Sequence, residues 1–298
     1  MIHLDKCPLC NSKQHISLIA RKFEHPDVKD FIDTYYENRV DWQILADEIF
    51  EIIKCQNCTF IWQKYILDSI GLSKLYSEWI SSEQSLAKKQ CANMQLYSKY
   101  AKQIQYINSF FPERKPREIK VLDYGCGWGY WCLMAKAHGY EVMGVEISEQ
   151  RVQFAKNNSL NIVYSLSEIS GKQFDFINSQ QSFEHIPNPL ENLRYLVKTL
   201  SHGGIIRISV PNGKKIEKEL KSPQWKAKKD AIHPLEHINC FTPRSLIYMA
   251  EEAGLKLMHD KYQQQIEFKE QLKEFIKTFW GRFDLDSIGT SLYFIKLI

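Results

Sequence analysis

A regular alternation of short apolar segments with amphipathic segments, between residues 118 and 210, most constrains the fold of this chain. The apolar runs predict strands and the amphipathic runs predict helices, with strands at 118–123, 141–146, 161–164, 174–179 and 204–210 and helices at 130–138, after Ser148 and at 189–200. Strands that alternate with helices form parallel sheets, because each crossover helix returns the chain to the same edge. We therefore predict a doubly wound α/β fold with a mostly parallel sheet and helices on both faces.

Further elements are predicted on both sides of this core. A helix at 242–253 and strands at 255–263 and 291–298 bring the sheet to seven strands, and an amphipathic segment at 267–280 separates the last two. Helical spacing also extends over 27–50 and 81–111, and short strands are predicted at 49–54 and 59–62.

A glycine-rich loop follows the first strand of the alternating region, in V121-L-D-Y-G-C-G-W-G129. It lacks the Lys and Ser/Thr of a P-loop, and Tyr130 stands where a dinucleotide fingerprint needs its third glycine. Asp123 would repel a pyrophosphate but would attract an ammonium group. The loop therefore predicts a zwitterionic, net-positive ligand, and its glycines allow the backbone to approach that ligand closely.

An acidic residue also ends the next strand, at Glu146 in G144-V-E-I-S148. In doubly wound folds, an acid at this position accepts hydrogen bonds from a ribose diol. The alternative is a solvated surface glutamate, which the register after such a loop disfavours. A ligand with both an ammonium group and a ribose fits the two acids.

Together these motifs resemble those of the class I S-adenosylmethionine-dependent methyltransferases, which have a Rossmann-like fold. The matching segments, in chain order, are 121–129, 144–148, 174–189, 202–212 and 237–246, and the resemblance covers 81–298. It implies that S-adenosylmethionine is bound by Asp123, Gly125, Cys126, Gly127, Gly129, Glu146, Ile147, Ser167, Gln180 and Gln181. Leu166 stands where family members often carry an acid near the adenine, so Ser167 or main-chain groups are expected to serve there.

Candidate proton acceptors lie beyond the fourth and fifth strands, since a hydroxyl acceptor of a methyl group usually needs a general base. They are Glu184, His185, His233 and His237, and we take the three histidines as candidate catalytic residues. By the resemblance, His185 could instead have a structural role near the methionine end, and a lone histidine is often only a satisfied or exposed side chain. The segment Q180-Q-S-F183 lacks the Asn/Asp-Pro-Pro-aromatic tetrad of many DNA-base amino methyltransferases.

Two C-x-x-C pairs lie near the N-terminus, at Cys7 and Cys10 and at Cys55 and Cys58. Four thiolates complete a tetrahedral zinc shell, so we predict a structural zinc in a small ribbon-like module. A redox pair and an iron–sulfur cluster are the alternatives; a redox pair usually opens a thioredoxin-like helix, and cluster ligands usually lie closer together. The predicted organisation is a zinc-binding module over 1–80 and a methyltransferase domain over 81–298. Such modules resemble those attached to bacterial sugar C-methyltransferases.

The remaining cysteines and the bulk composition are less informative. Cys126 is expected to contribute its backbone N–H to the loop, and Cys132 and Cys240 are expected to fill the core. The chain has 298 residues and a net charge of +4, and it shows no long apolar run and no signal peptide at its start. These features predict a cytoplasmic protein without membrane contact whose cysteines are reduced.

The expected reaction is methyl transfer to a small molecule, with a hydroxyl of a nucleotide-linked sugar, a surface-polysaccharide precursor or a related metabolite preferred. One alternative is an RNA methyltransferase that grips RNA with the zinc module, although nucleic acid is disfavoured because the segment 27–50 is acidic. Another is a non-catalytic, cofactor-binding partner subunit. The segment 213–230 carries seven lysines against three acids, and it is either a solvated loop or a lid that attracts a phosphorylated substrate.

Overall fold

The computed structural model describes residues 1–258 and 290–296. Its strands are β1 (Ile2–His3), β2 (His15–Lys22), β3 (Ile49–Cys55), β4 (Ile61–Gln63), β5 (Tyr65–Ile66), β6 (Lys120–Tyr124), β7 (Glu141–Val145), β8 (Ile162–Val163), β9 (Phe174–Gln180), β10 (Leu200–Val210), β11 (Asn239–Cys240), β12 (Leu255–Leu257) and β13 (Thr290–Lys296). Its α-helices are α1 (Pro26–Tyr35), α2 (Ser69–Lys74), α3 (Ser82–Gln90), α4 (Met94–Phe110), α5 (Tyr130–Ala137), α6 (Glu149–Asn157), α7 (Pro189–Lys198), α8 (Ile216–Leu220) and α9 (Pro243–Glu252).

The larger sheet has seven strands in the order β12-β13-β10-β9-β6-β7-β8. The strands from β10 to β8 pair in parallel, whereas β13 pairs antiparallel with both β10 and β12. This arrangement confirms the predicted mostly parallel, doubly wound sheet. Because β6, β7 and β9 run in the same direction, the residues that follow them meet at one edge, as in other open α/β sheets that bind ligands there.

Both faces of this sheet are covered by helices. Val121 packs among α4, α5 and α6, and its neighbour Leu122 packs among α7 and α9 on the opposite face. Phe176 and Ile177 divide between the two faces in the same way. Side chains of a strand alternate between faces, so burial on both sides explains why these strands are almost continuously apolar.

A second sheet has four strands in the order β11-β4-β3-β2. Its strands β2, β3 and β4 form an antiparallel meander, which confirms the two short strands predicted around Cys55–Cys58, although β2 was not predicted. The fourth strand, β11, comes from the other half of the chain and pairs antiparallel with β4. Hydrogen bonds therefore cross the predicted boundary between residues 80 and 81, and that division stays a prediction.

Two of the predicted helices are shorter than their apolar spacing indicated. In the segment 27–50, only α1 is α-helical, and Glu37 and Asn38 end it with positive φ angles of 55° and 58°. In the segment 81–111, α3 and α4 are separate, because Asn93 caps α4 by accepting a hydrogen bond from the Gln95 N–H. Positive φ angles after α1 and a side-chain cap before α4 therefore interrupt patterns that spacing alone predicts to be continuous.

The C-terminal predictions are only partly described. The strands predicted at 255–263 and 291–298 appear as β12 and β13, and residues 259–263 and 297–298 lie outside the described residues. The amphipathic segment 267–280 lies wholly outside them. Within 1–258 and 290–296, every helix is too short or too polar to span a bilayer.

Candidate active site

The glycine loop connects β6 to α5 and needs its glycines for two reasons. Gly125, Gly127 and Gly129 all have positive φ angles, of 73°, 56° and 75°, a region that other residues adopt at a cost. A Cβ atom at Gly129 would lie 2.6 Å from Leu160, and one at Gly125 would collide with the Ser182 hydroxyl, whereas Gly127 has open space around it. The loop is therefore tightly packed at its ends and open at its centre.

Asp123 lies at the end of β6 and is almost fully buried. Its carboxylate accepts hydrogen bonds from the Asn178 amide at 2.7 Å and from the Cys132 thiol at 3.6 Å, and Arg207 donates to Asn178 at 2.7 Å. Burial raises the pKa of Asp123 to about 6, and the Asn178 and Cys132 hydrogen bonds oppose that shift. At neutral pH the group is thus an oriented carboxylate at the wall of a cavity of 220 Å³.

Glu146 follows β7 and is held by the main chain of the glycine loop. Its carboxylate accepts hydrogen bonds from the Gly127 N–H and the Ser148 N–H, both at 2.9 Å, and Arg151 lies 3.7 Å away. A carboxylate has about four acceptor sites, so these contacts leave capacity for a diol. The contact with Gly127 thus links Glu146 to the glycine loop, and these are the two features predicted to bind the cofactor.

The remaining predicted cofactor residues differ in their positions. Gln180 ends β9 and Gln181 follows it, and both line the 220 Å³ cavity beside the glycine loop. Cys126 lines the same cavity, and its N–H donates to the Val145 carbonyl at 3.0 Å. Ile147 is 69% exposed at the rim of a second, larger cavity. Ser167 is exposed, with its hydroxyl 2.7 Å from that of Ser165, and lines neither of these two cavities.

The larger cavity has a volume of 1110 Å³ and shares Gly125 and Gln181 with the smaller one. Glu146 and His185 line it from the seven-stranded sheet, and Tyr35, Tyr36, Arg39 and Tyr76 line it from the N-terminal segment. Single-ligand pockets usually measure about 300–1,000 Å³, so the two cavities together have room for a cofactor and an acceptor. No sequence motif pointed to the N-terminal residues, because their position depends on tertiary packing.

The structure brings the three predicted histidines together. The His237 ring lies 4.9 Å from that of His185 and 4.0 Å from that of His233, measured between ring centroids. Burial lowers the pKa of His185 and of His233 to about 3 and holds that of His237 well below its usual value. All three are uncharged, weak bases at neutral pH, and only His185 lines the large cavity.

Main-chain carbonyls fix the orientation of these rings, and the Nδ1 atom of His233 lies 3.3 Å from the Pro234 carbonyl oxygen. The Nδ1 atom of His185 lies 2.9 Å from the Glu236 carbonyl oxygen, and that of His237 lies 2.6 Å from the Asp230 carbonyl oxygen. Each of these Nδ1 atoms carries the proton, since a carbonyl only accepts. The Nε2 atom of His185 is therefore the proton-accepting side of that ring.

Glu184 is completely buried beside this cluster, and both of its carboxylate oxygens lack a hydrogen-bond partner within the described residues. Burial raises the pKa of Glu184 to about 8, so it is mostly protonated at neutral pH. One carboxylate oxygen of Glu184 and one ring nitrogen each of His185 and His237 lie within 4.8 Å of one another.

Glu236 lines the large cavity and was missed by the sequence analysis. Its carboxylate accepts a hydrogen bond from the Tyr36 hydroxyl at 3.0 Å, and burial raises the pKa of Glu236 above its usual range. The preceding Leu235 has a φ of 74°, and the Glu236 N–H donates to the Pro234 carbonyl at 3.0 Å, which together form a strained γ-turn. The available signal was an acid directly before His237, in P234-L-E-H.

The four N-terminal cysteines converge as predicted. The Sγ atoms of Cys7 and Cys58 are 3.4 Å apart, those of Cys10 and Cys55 are 3.5 Å apart, and all four lie within 4.8 Å of one another. The N–H groups of Asn57 and Cys58 point at the Cys55 sulfur, at 3.4 and 3.5 Å. The hydrogen bond between Cys7 and Cys58 lowers the pKa of Cys58 to about 5 and raises that of Cys7 well above its usual value, so the proton of this pair stays on Cys7.

The lysine-rich segment 213–230 is held mainly by ion pairs. Lys228 contacts Glu219 at 2.8 Å, and Glu217 contacts Lys54 of β3 at 2.7 Å. Lys229 differs, because it lines the large cavity with its ammonium 5.2 Å from the Tyr35 ring centroid. Most of the segment is therefore surface structure, and one lysine reaches the candidate site.

Comparison with known proteins identifies the family. The sequence profile of a family described as "Methyltransferase domain" matches residues 94–260, more than half of the chain. The ubiquinone biosynthesis O-methyltransferase of Coxiella burnetii is 33% identical to this chain over 101 residues, and that of Idiomarina loihiensis is 29% identical over 103 residues. Each match covers 31% of this chain. The chain spans less than half the length of these relatives, 43% and 42%.

Among solved structures, the plantazolicin methyltransferase BpumL in complex with SAH superposes with a TM-score of 0.50 at 16% sequence identity. The match covers 76% of this chain and 94% of that one, and it supports the fold alone. The family match, the glycine loop with its two acids and the order of the sheet lead to one conclusion: the chain belongs to the methyltransferase domain family, in its class I, S-adenosylmethionine-dependent form.

Proposed function

We propose that this protein transfers a methyl group from S-adenosylmethionine to an oxygen atom of a small-molecule acceptor. The observation that carries the proposal is the placement of Asp123 and Glu146 around an open glycine loop, at the junction of two cavities. The names of the ubiquinone biosynthesis relatives support oxygen as the acceptor atom and a small molecule as its carrier.

The residues at this junction fit the cofactor. The Asp123 carboxylate suits the ammonium group of the methionine moiety, and the free acceptor sites of Glu146 suit the ribose diol. Gly125 and Gly127 supply a backbone surface without side chains between these two acids. When bound, S-adenosylmethionine supplies an electrophilic sulfonium methyl group, and the protein has to orient the acceptor and exclude water.

Glu236 is the proposed proton acceptor for the hydroxyl of the substrate. It lines the large cavity with Gln181 and His185, and its raised pKa brings it closer to the working pH than an exposed glutamate. The Tyr36 hydroxyl, which donates to its carboxylate, orients the group. His185 keeps a second role, since its Nε2 atom can accept a hydrogen bond from the acceptor, while His233 and His237 support the loop.

For the acceptor itself, we retain a hydroxyl of a nucleotide-linked sugar or a related phosphorylated metabolite as the finer proposal. Lys229 and Arg39 line the large cavity and suit an anionic group, and Tyr35 and Tyr76 offer aromatic surfaces. The names of the relatives give no support to a sugar or a polysaccharide. An RNA acceptor and a non-catalytic, cofactor-binding subunit are the alternatives that the experiment below separates.

The four cysteines are proposed to hold one structural zinc ion in a module over residues 1–80. Tetrahedral zinc with bonds of about 2.3 Å places its sulfur ligands about 3.8 Å apart, close to the arrangement of these thiols. Metal analysis of the purified protein should give one zinc per chain, and this zinc should be lost on replacing Cys55 and Cys58 with serine. Iron with visible absorbance, or no metal at all, would contradict the zinc site.

A binding measurement followed by an acceptor screen tests the function. Calorimetry should show one S-adenosylmethionine site per chain, and transfer from the radiolabelled cofactor should be found among quinols, nucleotide sugars and phosphorylated hydroxy compounds. Absence of cofactor binding would refute the proposal. Binding without transfer to any small molecule would favour the non-catalytic subunit, and salt-dependent micromolar affinity for RNA would favour an RNA acceptor.

A further inference from the structure

The loop that carries Glu236 is held by a side chain from the N-terminal hairpin. Gln63 is the last residue of β4 and is 1% exposed. Its amide group donates two hydrogen bonds, to the His233 carbonyl at 2.7 Å and to the His237 carbonyl at 2.9 Å. Its backbone N–H donates a third, to the Ile238 carbonyl at 2.8 Å.

These three hydrogen bonds bracket the strained turn. Pro234, Leu235 and Glu236 lie between the two carbonyls that Gln63 binds, and Leu235 has the positive φ of the γ-turn. A strained turn persists only where its surroundings fix it. Gln63 fixes both ends of the turn, and the Tyr36 hydroxyl shares its one proton between the Glu236 carboxylate at 3.0 Å and the Pro234 carbonyl at 3.2 Å.

The opposite side of the loop is fixed by the segment that follows β9 of the seven-stranded sheet. Asn239 donates to the carbonyls of Phe183 and Ile186 at 3.1 and 2.6 Å, and the His185 ring binds the Glu236 carbonyl. The loop is thus clamped between the elements that carry the cofactor and a hairpin from the N-terminal segment. A buried amide that makes two bonds to backbone carbonyls is costly to remove without a replacement.

The hairpin that supplies Gln63 is closed by the second cysteine pair. Strands β3 and β4 are joined by the turn Cys55–Cys58, and the Cys55 N–H donates to the Phe60 carbonyl at 2.8 Å. A metal ion shared with Cys7 and Cys10 would tie this turn to the N-terminal segment. It would thereby fix β4 and the position of Gln63.

We propose that Gln63 is a positioning residue for Glu236, and that the four-cysteine cluster acts on methyl transfer through the β3–β4 hairpin. The part that concerns methyl transfer rests on the proposed function, whereas the part that concerns the loop does not. The N-terminal segment is then a wall of the acceptor site as well as a metal-binding module.

Replacement of Gln63 with methionine tests the first step, because methionine has a similar shape but no donor. Hydrogen exchange of the amides in 231–239 should accelerate about tenfold, as expected when two buried hydrogen bonds are lost, while exchange in β6 and β7 stays unchanged. The affinity for S-adenosylhomocysteine should also stay unchanged. The matched control is Gln173→Met, since the Gln173 amide donates to two backbone carbonyls as well, those of Lys172 and Lys198, on the exposed surface.

Unchanged exchange in 231–239 would overturn the positioning role, and so would an equal acceleration throughout the chain. If Gln63→Met does not fold, Tyr36→Phe serves as the second variant, because it removes only the hydroxyl that binds the same turn. That variant should accelerate exchange in 231–239 alone, and unchanged exchange there would again overturn the role.

Metal removal from the wild-type protein tests the second step. Chelation should accelerate exchange in β3, β4 and 231–239 together and leave S-adenosylhomocysteine affinity unchanged. Acceleration in β3 and β4 without any change in 231–239 would overturn the link between cluster and loop. Once an acceptor is identified, Gln63→Met should lower kcat about tenfold, the same factor by which hydrogen exchange in 231–239 accelerates. The cofactor affinity should change little. A failure of the wild type to bind cofactor would instead refute the proposed function.

Discussion

The two ends of the candidate site are constructed differently. The proposed cofactor end comes from β6, β7, β9 and the loops that directly follow them, so its proposed anchors Asp123, Gly127 and Glu146 lie close together in the chain. The proposed acceptor end combines Tyr36, Gln63, His185 and Glu236, which come from widely separated segments. The first end follows from the geometry of a parallel sheet, and the second depends on how the N-terminal segment docks.

Replacement of Glu236 with glutamine should give the largest effect and should be confined to the acceptor end. A general base typically contributes about 10²–10⁴ to the rate, so turnover should fall by that factor while the dissociation constant for S-adenosylmethionine stays unchanged. Single-turnover transfer and calorimetry measure the two quantities. An equal loss in His185→Gln and none in Glu236→Gln would assign the proton transfer to the histidine.

Replacement of Asp123 with asparagine should weaken cofactor binding and leave the acceptor end unchanged. The affinity for S-adenosylmethionine should fall by about 100-fold, because a charged hydrogen-bond partner of the cofactor is lost. Asp175→Asn is the matched control, since Asp175 also belongs to the central sheet but pairs with Arg114 at 2.8 Å, away from both cavities. Comparable affinity losses in both variants would show that general destabilisation is the cause.

The pH dependence of cofactor affinity should follow Asp123. Its pKa of about 6 means that the carboxylate is protonated as the pH falls below that value, and the attraction for an ammonium group is lost. Affinity should therefore be constant above pH 7 and should fall up to about tenfold per pH unit below 6. Calorimetry between pH 5 and pH 8 checks this, and a profile that is equally steep in Asp123→Asn would contradict it.

Glu184→Gln should give the smallest effect, on stability. The folded protein raises the pKa of Glu184 from 4.5 to about 8, so it retains a proton that the unfolded chain releases. The free energy of unfolding of the wild type should therefore decline as the pH rises from 4.5 to 8. The free energy of unfolding of the glutamine variant should not show this decline. Relative to that of the wild type, it should rise by about 1 kcal/mol or more between pH 5 and pH 8, as measured by urea denaturation. A parallel pH dependence would contradict a buried, protonated Glu184.

The sequence predicted the seven-stranded sheet and the placement of Asp123 and Glu146 at one edge of it, but not β2 or the pairing of β11 with β4. The spacing of the apolar residues and the composition of the loops place Asp123 and Glu146 at the same edge of a sheet without any knowledge of long-range contacts. The convergence of Cys7, Cys10, Cys55 and Cys58 also followed from residue type and spacing alone.

The acceptor end could not be derived in this way. The position of Glu236 depends on a γ-turn at Leu235. Leucine has no preference for this conformation, so the sequence does not predict the turn. Burial also turned the three predicted histidines into weak bases, and burial depends on the packing of segments that are far apart in the chain. Tertiary packing, rather than motif chemistry, decides which group is available there.

The pairing of β4 with β11 has a consequence for how such chains can be recombined. A chimera that joins a different N-terminal segment to residues 81–298 of this chain would have to match a hydrogen-bonded seam at Trp62 and Asn239 and a buried amide at Gln63. A chain that began after residue 80 would present β11 as an unpaired edge and open the acceptor end to water. On the proposed function, acceptor preference would therefore depend on both halves of the chain.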